Sequence, residues 1–197
     1  ESIKSYYLSR GHLEFRVDST QVAISANKQD ISITINITEG NSFIVSRIML
    51  EGYYLVRDNE FKSIISIQPG QPYNNSDVVQ TTKAFADYFG NFGFAFARVE
   101  AVNEIDRTTN RVASVLQADP SRRAYVRKIN LTGNSRTRDE IIRREFRQLE
   151  SAWYDGERIK LSRDRLKRLG YFKDVNIEEL TGKAYDLPKE LTLGDKE

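Results

Sequence analysis

The 197-residue chain has no cysteine, a single histidine, a single tryptophan and four prolines. Each scarcity excludes something. Without cysteine there is no disulfide, no thiolate nucleophile and no thiolate-held zinc, and the absence suits the cytoplasm and the periplasm equally. The lone histidine, His12, is the only base a Ser-His-Asp arrangement could use. It stands just past a helix-ending glycine at the start of a strand, where a surface histidine is ordinary. No run reaches the eighteen or so apolar residues of a membrane helix, and no secretory leader is legible. The first residues, "ESIKSYYL", read as the middle of something longer. Charge of one sign is missing too: 30 basic and 28 acidic residues leave a net charge of +2, unlike the basic bias of a dedicated nucleic-acid binder. Phosphate-cradling glycine loops, His-Glu-x-x-His and metal-spaced clusters are all absent. Glu178 and Glu179 are neighbours in a strand and point to opposite faces, so they cannot share a proton. Asp58 and Glu60 lie at a helix start, where the dipole favours them. No enzymatic activity, metal or cofactor is expected.

What the chain has instead is a repeat. "SFIVSRIMLEGY" (42–53) is echoed by "RAYVRKINLTGN" (123–134). At a constant offset of 81 residues Val45 falls on Val126, Ile48 on Ile129, Leu50 on Leu131 and Gly52 on Gly133. Tyr73-Asn74 falls on Tyr154-Asp155 at the same offset. Three further segments, 8–18, 89–100 and 166–179, share a helix end, a glycine (Gly11, Gly93, Gly170) and then alternating apolar residues. Glycine just past a helix is a common stop because it enters the left-handed region without steric cost. A period of about 80 residues is too long for a solenoid and fits a small domain.

The order of elements follows. In the middle unit, 43–51 alternates with Ile44, Ile48 and Leu50 on one face, matched by Tyr125, Ile129 and Leu131 in the next unit. "RDNEFKSIISI" and 77–89 have helical spacing, and 94–104 and 111–117 read as strands around the turn "DRTTN". The last unit gives a strand at 125–131, a helix at 138–149 opened by a Thr137/Glu140 capping box, a helix at 157–169 and a strand at 171–179. The first unit opens inside its second helix and keeps a hairpin, 13–24 with 31–38. There Ile31, Ile33, Ile35 and Ile37 share a face. The expected fold is α+β: tandem β-α-α-β-β units, each a three-stranded mixed sheet with two helices on one face. The expected boundaries are 1–40, 41–119 and 120–182. "TGKAYDLPKELTLGDKE" offers only "ELTL" beside Pro188, so no closing strand is assigned to the last unit and 183–197 is left as a tail. The links "EGNS" and "ADPSRR" are short and not Gly/Ser-rich, which predicts a semi-rigid string.

The segments "YYLSRG" (6–11), "DSTQV" (18–22), "NITEG" (36–40), "YVRKI" (125–129), "RREFRQLESAW" (143–153) and "RLKRLGYF" (165–172) occur in this order over roughly residues 1–180. In this the chain resembles the polypeptide-transport-associated (POTRA) domains of BamA-type outer-membrane assembly factors. The resemblance implies the end of a third, a whole fourth and most of a fifth domain. It further implies a periplasmic, non-catalytic scaffold attached to the membrane through a C-terminal barrel that is not in this sequence, with accessory lipoproteins and unfolded outer-membrane polypeptides as partners. It places lipoprotein docking in the last unit, at Arg143, Arg147, Glu150, Trp153 and Tyr154. A carboxylate at Glu150, close to the end of the predicted helix, opposes the helix dipole unless a cation compensates. The cation is either an arginine of the partner or Arg143 or Arg147 of the same helix; Trp153 alternatively belongs to the core.

For the clients the residues give a physical route. A helix-backed sheet leaves an edge whose N–H and C=O groups can pair with any extended chain. The candidate edges are Leu13, Phe15 and Val17 in the first unit and Ala97, Arg98 and Val99 in the second. Two other readings were weighed. An RNA-binding tandem module would use Phe94 and Phe96 on a strand, but "GFAFARV" lacks the basic-aromatic signature, and one shared buried face explains both rings. The arginines of "RTRDEIIRREFRQ" interleave with Asp139, Glu140 and Glu145 and read as helix ion pairs. The transporter of a two-partner secretion system normally carries two such units, not a third in part.

Overall fold

The computed structural model describes residues 2–25, 30–180 and 189–194. The elements in chain order are α1 (Ser2–Leu8), β1 (Arg16–Ile24), β2 (Ile31–Thr38), β3 (Ile44–Gly52), α2 (Asp58–Ile64), α3 (Asn75–Gly90), β4 (Arg98–Asp106) and β5 (Arg111–Asp119). They continue with β6 (Val126–Leu131), α4 (Asp139–Glu145), α5 (Gly156–Arg168), β7 (Asn176–Leu180) and β8 (Lys189–Gly194). The strands form a two-stranded ribbon β1-β2 and two three-stranded sheets, ordered β3-β5-β4 and β6-β8-β7. By packing the chain resolves into two compact units, residues 1–83 with 100–117 and residues 84–99 with 118–197.

In the first unit, Phe43, Val45, Ile67, Tyr73, Val78 and Val112 close one core. Tyr54 is buried with its hydroxyl donating to Leu116 O at 2.7 Å and its ring edge-on to Phe61. Phe61 is fully buried, a contribution of roughly 1.5–3 kcal/mol for a side chain of this class. Central strand β5 is buried on both faces: Ala113 and Val115 are as hidden as Val112 and Leu116. The face away from the core is therefore not simply open to water, as a helices-on-one-face sheet would leave it. The β4–β5 turn is held by Asp106, whose carboxylate accepts from Thr108 N at 2.9 Å and Thr109 Oγ1 at 2.6 Å. Those bonds, that of Thr109 Oγ1 foremost, hold its carboxyl below the usual carboxylate range.

The ribbon departs from expectation. β1 and β2 pair antiparallel in a register that sets Val22 on Ile33 and Ile24 on Ile31, so the strict alternation does mark a strand. Yet Ile31 is 66% exposed. Two strands alone have no second layer to bury a face against. At the ribbon's base Phe15 is buried and stacks on Tyr7 at 4.4 Å, and Tyr7 donates to Glu39 at 2.8 Å.

In the second unit, Ala124, Val126, Ile129, Ile142, Phe146, Tyr154, Ile159, Leu166 and Val175 form the core. β6 runs parallel to β8, and β7 antiparallel to it. The stretch left as a tail therefore supplies, through 189–194, the central strand of this sheet, while residues 181–188 lie outside the described residues. β6 carries a register shift between Val126 and Lys128. This bulge turns Val126 and Ile129, three apart, into the same core, and Tyr125 stays 46% exposed. The plain alternation Tyr125/Ile129 is thereby corrected, and β3 follows suit, burying Val45 and exposing Ile44.

Helix α4 ends at Glu145, four residues before the predicted end, because Phe146 turns extended and drops into the core. The predicted capping box does not form: Arg138 is the N-cap and makes no side-chain cap bond. The Asn134 amide donates to Thr137 O at 3.0 Å and Asp139 Oδ1 at 2.6 Å, which ties the preceding turn to the helix start without capping its N–H groups. α5 is capped as a helix start should be, with the Asp155 carboxylate accepting from Arg158 N at 3.0 Å.

Candidate functional site: strand edges and the loop 149–154

Among the described residues β4 ends its sheet and pairs with β5 alone. Its residues alternate regularly, with Val99, Ala101, Asn103 and Ile105 half-buried and Arg98, Glu100, Val102, Glu104 and Asp106 exposed. Arg98 and Val99 thus lie on an edge strand. Ala97 does not; it belongs to the turn before β4, as do Phe94 and Phe96. Phe96 is 39% exposed and not in one buried face with Phe94. In the ribbon, Val17 lies on β1, half exposed, whereas Leu13 and Phe15 precede the strand. The strands begin later than their alternation because each segment first makes a tight turn, with Phe15 N donating to His12 O and Ala97 N to Phe94 O.

The docking residues are divided by the loop that follows α4. Tyr154 is 8% exposed and part of the core, so its ring is not offered to a partner. Trp153, the neighbour expected alternatively in the core, is 58% exposed and is bridged backbone to backbone with exposed Tyr125; Leu149 on the same loop is exposed too. The Arg123 guanidinium lies 6.0 Å from the Trp153 ring centroid. Arg147 is exposed, and its backbone N–H donates to Ser162 Oγ at 2.8 Å.

Glu150 is five residues beyond the end of α4 and does not face the helix terminus. Its Oε1 accepts from Ile129 N at 2.8 Å and from Arg143 at 3.2 Å. The Ile129 N–H, and after it the Arg143 guanidinium, hold its carboxyl below the usual carboxylate range against a smaller opposing effect of burial. The compensating cation is thus Arg143 of the same chain.

Two features escaped the sequence reading. Gln148 is fully buried: its amide donates to Leu149 O at 3.1 Å and Trp153 O at 3.0 Å, and its Oε1 accepts from Asp155 N at 2.9 Å. One side chain therefore cinches the whole loop. The loop in turn runs antiparallel along β6: Ser151 N donates to Val126 O, Val126 N to Ala152 O and Tyr154 N to Ala124 O. At the offset of 81 residues the middle unit repeats every bond, with Gly70 N to Val45 O, Val45 N to Gln71 O and Tyr73 N to Phe43 O. Ser162, accepting from Arg147 N and donating to Arg158 O, likewise matches Thr81, which accepts from Ser66 N and donates to Asp77 O. A comparison of buried small polar residues at that offset would have found this pair.

Among the described residues no group of acidic or histidine side chains is placed to hold a metal, and no helix is long and apolar enough to cross a membrane. A family model, "POTRA: Surface antigen variable number repeat", matches residues 1–40, 43–117 and 124–193. The chain is a member of the POTRA family. It is 31% identical over 179 residues to the outer membrane protein assembly factor BamA of Neisseria meningitidis, covering 90% of this chain and 22% of that protein. The BamA of Buchnera aphidicola is 27% identical over 177 residues, with 90% of this chain and 29% of that protein covered. A crystal structure of Haemophilus influenzae BamA POTRA3-5 superposes with a TM-score of 0.86 at 26% identity, covering 100% of this chain and 78% of that one. The chain spans less than a third of the length of these curated relatives. The three matched segments hold, in order, α1 to β2, β3 to most of β5, and β6 to β8.

Proposed function

We propose that this chain is part of the periplasmic, non-catalytic scaffold of an outer-membrane β-barrel assembly factor. In this reading it holds unfolded outer-membrane polypeptides in extended form and hands them to a membrane barrel. The observation that carries it is the edge position of β4, a nine-residue strand with a partner on one side only. An extended client would pair with it backbone to backbone, which asks little of the client's side chains and suits a scaffold with many clients. Val17 and the rest of β1 offer a second rail of the same kind.

The second element of the reading is docking of an accessory lipoprotein on the last unit. Exposed Trp153 and Leu149 supply apolar surface and Arg147 and Arg143 charge, and of these tryptophan and arginine are enriched at interface hot spots. Glu150 already has two partners in its own chain, so its part is to shape this surface. Tyr154 supports it from beneath.

Both elements can be tested in the full-length factor. Neighbouring N–H groups on an edge strand alternate between the sheet and solvent, so of the two variants Arg98→Pro and Val99→Pro, one removes an outward donor while the sheet survives and the other removes a bond to β5. In the variant that keeps its fold, cross-linking to an unfolded outer-membrane polypeptide should fall several-fold; undiminished cross-linking rules this edge out. Trp153→Ala should weaken lipoprotein co-purification without lowering the unfolding midpoint, and intact co-purification would remove the loop from the interface.

A further inference from the structure

The outer side of β6 is the edge opposite its partner β8. From Ala124 to Val126 it is occupied by the loop 151–154. Beyond the loop, the next backbone groups that point outward belong to Ile129, and both are taken by side chains. Ile129 N donates to Glu150 Oε1 at 2.8 Å, and Ile129 O accepts from Arg143 at 3.1 Å. The two side chains are joined to each other at 3.2 Å, which closes a ring. One acceptor and one donor facing one residue is what a neighbouring antiparallel strand offers at a hydrogen-bonded pair. The ion pair stands where the next strand would be.

We propose that Arg143 and Glu150 close the outer edge of β6 against extended polypeptides, and that their release turns residues 127–131 into a strand-accepting site. The construction is specific to this unit. At the offset of 81 residues Glu150 corresponds to Pro69, which has no acceptor side chain, and Arg143 to Lys62. Arg143 is held in place because Ile142, next to it on α4, is buried in the core. Glu150 is held by the Gln148 clasp on the same loop. Sheet edges invite unwanted pairing, and charged side chains at an edge are one way in which proteins prevent it. Here the guard leaves clients to the other edges. Only the nature of the ligand rests on the strand-addition reading; the guard itself is a statement about Ile129.

The test uses the full chain, ¹⁵N-labelled, as wild type, Glu150→Ala and Arg143→Ala, with a lysine-flanked peptide carrying the β2 sequence "ISITINIT" as the extended probe. Exchange of the Ile129 amide should rise about tenfold or more in Glu150→Ala, the size expected for losing a hydrogen bond to a charged group. The Val126 amide, bonded to Ala152 O, should keep its protection and so show that the unit is folded. The peptide should shift resonances of 127–131 in both variants but not in the wild type. An unchanged Ile129 exchange rate, or peptide shifts at 127–131 in the wild type, would overturn the proposal. A peptide that pairs with neither β4 nor β6 in any of the proteins would count against strand addition, while the exchange rates still decide whether the ion pair guards the edge.

Discussion

The middle and last units use the same backbone device with different side chains. In both, the loop after the first helix folds back on the first strand through three matching hydrogen bonds, and a buried hydroxyl, Thr81 or Ser162, ties that loop to the second helix. The middle loop is held by apolar burial, with Ile67 in the core where the last unit has Gln148. It turns at Gly70, where the last loop uses Ser151 at a positive φ of 61°. It carries Pro69 where the last has Glu150. The last unit gains the polar Gln148, Glu150 and Ser151, and it has Leu149, Ala152 and Trp153 where the middle unit has Gln68, Gln71 and Pro72. The backbone scaffold is thus constant, and these six consecutive differences lie on the segment that closes β6 and exposes Trp153.

Making one loop resemble the other should break this comparison in graded steps. The largest effect is expected from Gln148→Ile. It leaves Leu149 O, Trp153 O and the N–H of Asp155 without their partner and should cost about 3 kcal/mol, at the upper end for unsatisfied buried groups. Urea unfolding followed by Trp153 fluorescence measures it, since Trp153 is the sole tryptophan. The next pair is Ser151→Gly and Gly70→Ser. A side chain in the left-handed region costs about 1 kcal/mol, so the first change should stabilise and the second destabilise by that amount. Nothing lies within 4 Å of a Cβ built on Gly70, so its effect should be purely conformational. The smallest effect belongs to Glu150→Gln and is confined in pH. The folded-state pKa of Glu150 is depressed, so its contribution is present above the ordinary glutamate value and is lost as pH falls through the lower folded value. Wild type and Glu150→Gln should differ in unfolding midpoint at neutral pH and converge in acid; a constant difference would mean that the carboxylate charge is not involved.

Much of the fold was legible because it repeats. Alternation, helical spacing and two or three apolar anchors at a fixed offset were enough to place every helix and most strands. The misses share a cause, namely dependence on distant partners. The bulge at Val126–Lys128 has no residue signature and shows only when β6 is set against β8. β8 itself is short and close to Pro188, and its central place comes from the two strands that flank it. The ribbon's isoleucines announce a strand, but a burial pattern cannot reveal that no layer lies over them. At the candidate site the residues alone did not show that Tyr154 is buried while Trp153 is exposed, because the backbone bridge between Tyr125 and Trp153 decides which ring faces out. For Glu150 the sequence left a partner's arginine and Arg143 or Arg147 as alternatives; it pairs with Arg143, and the Ile129 N–H it also accepts from could not be read without the strand.

The most direct test of the account is amide exchange along β4 in the full-length factor, with and without an unfolded outer-membrane polypeptide. Strand addition predicts protection at alternate residues of 98–106, those whose N–H groups face outward, with 127–131 unchanged. Client binding that leaves every outward amide of β4 exchanging at its free rate would contradict it.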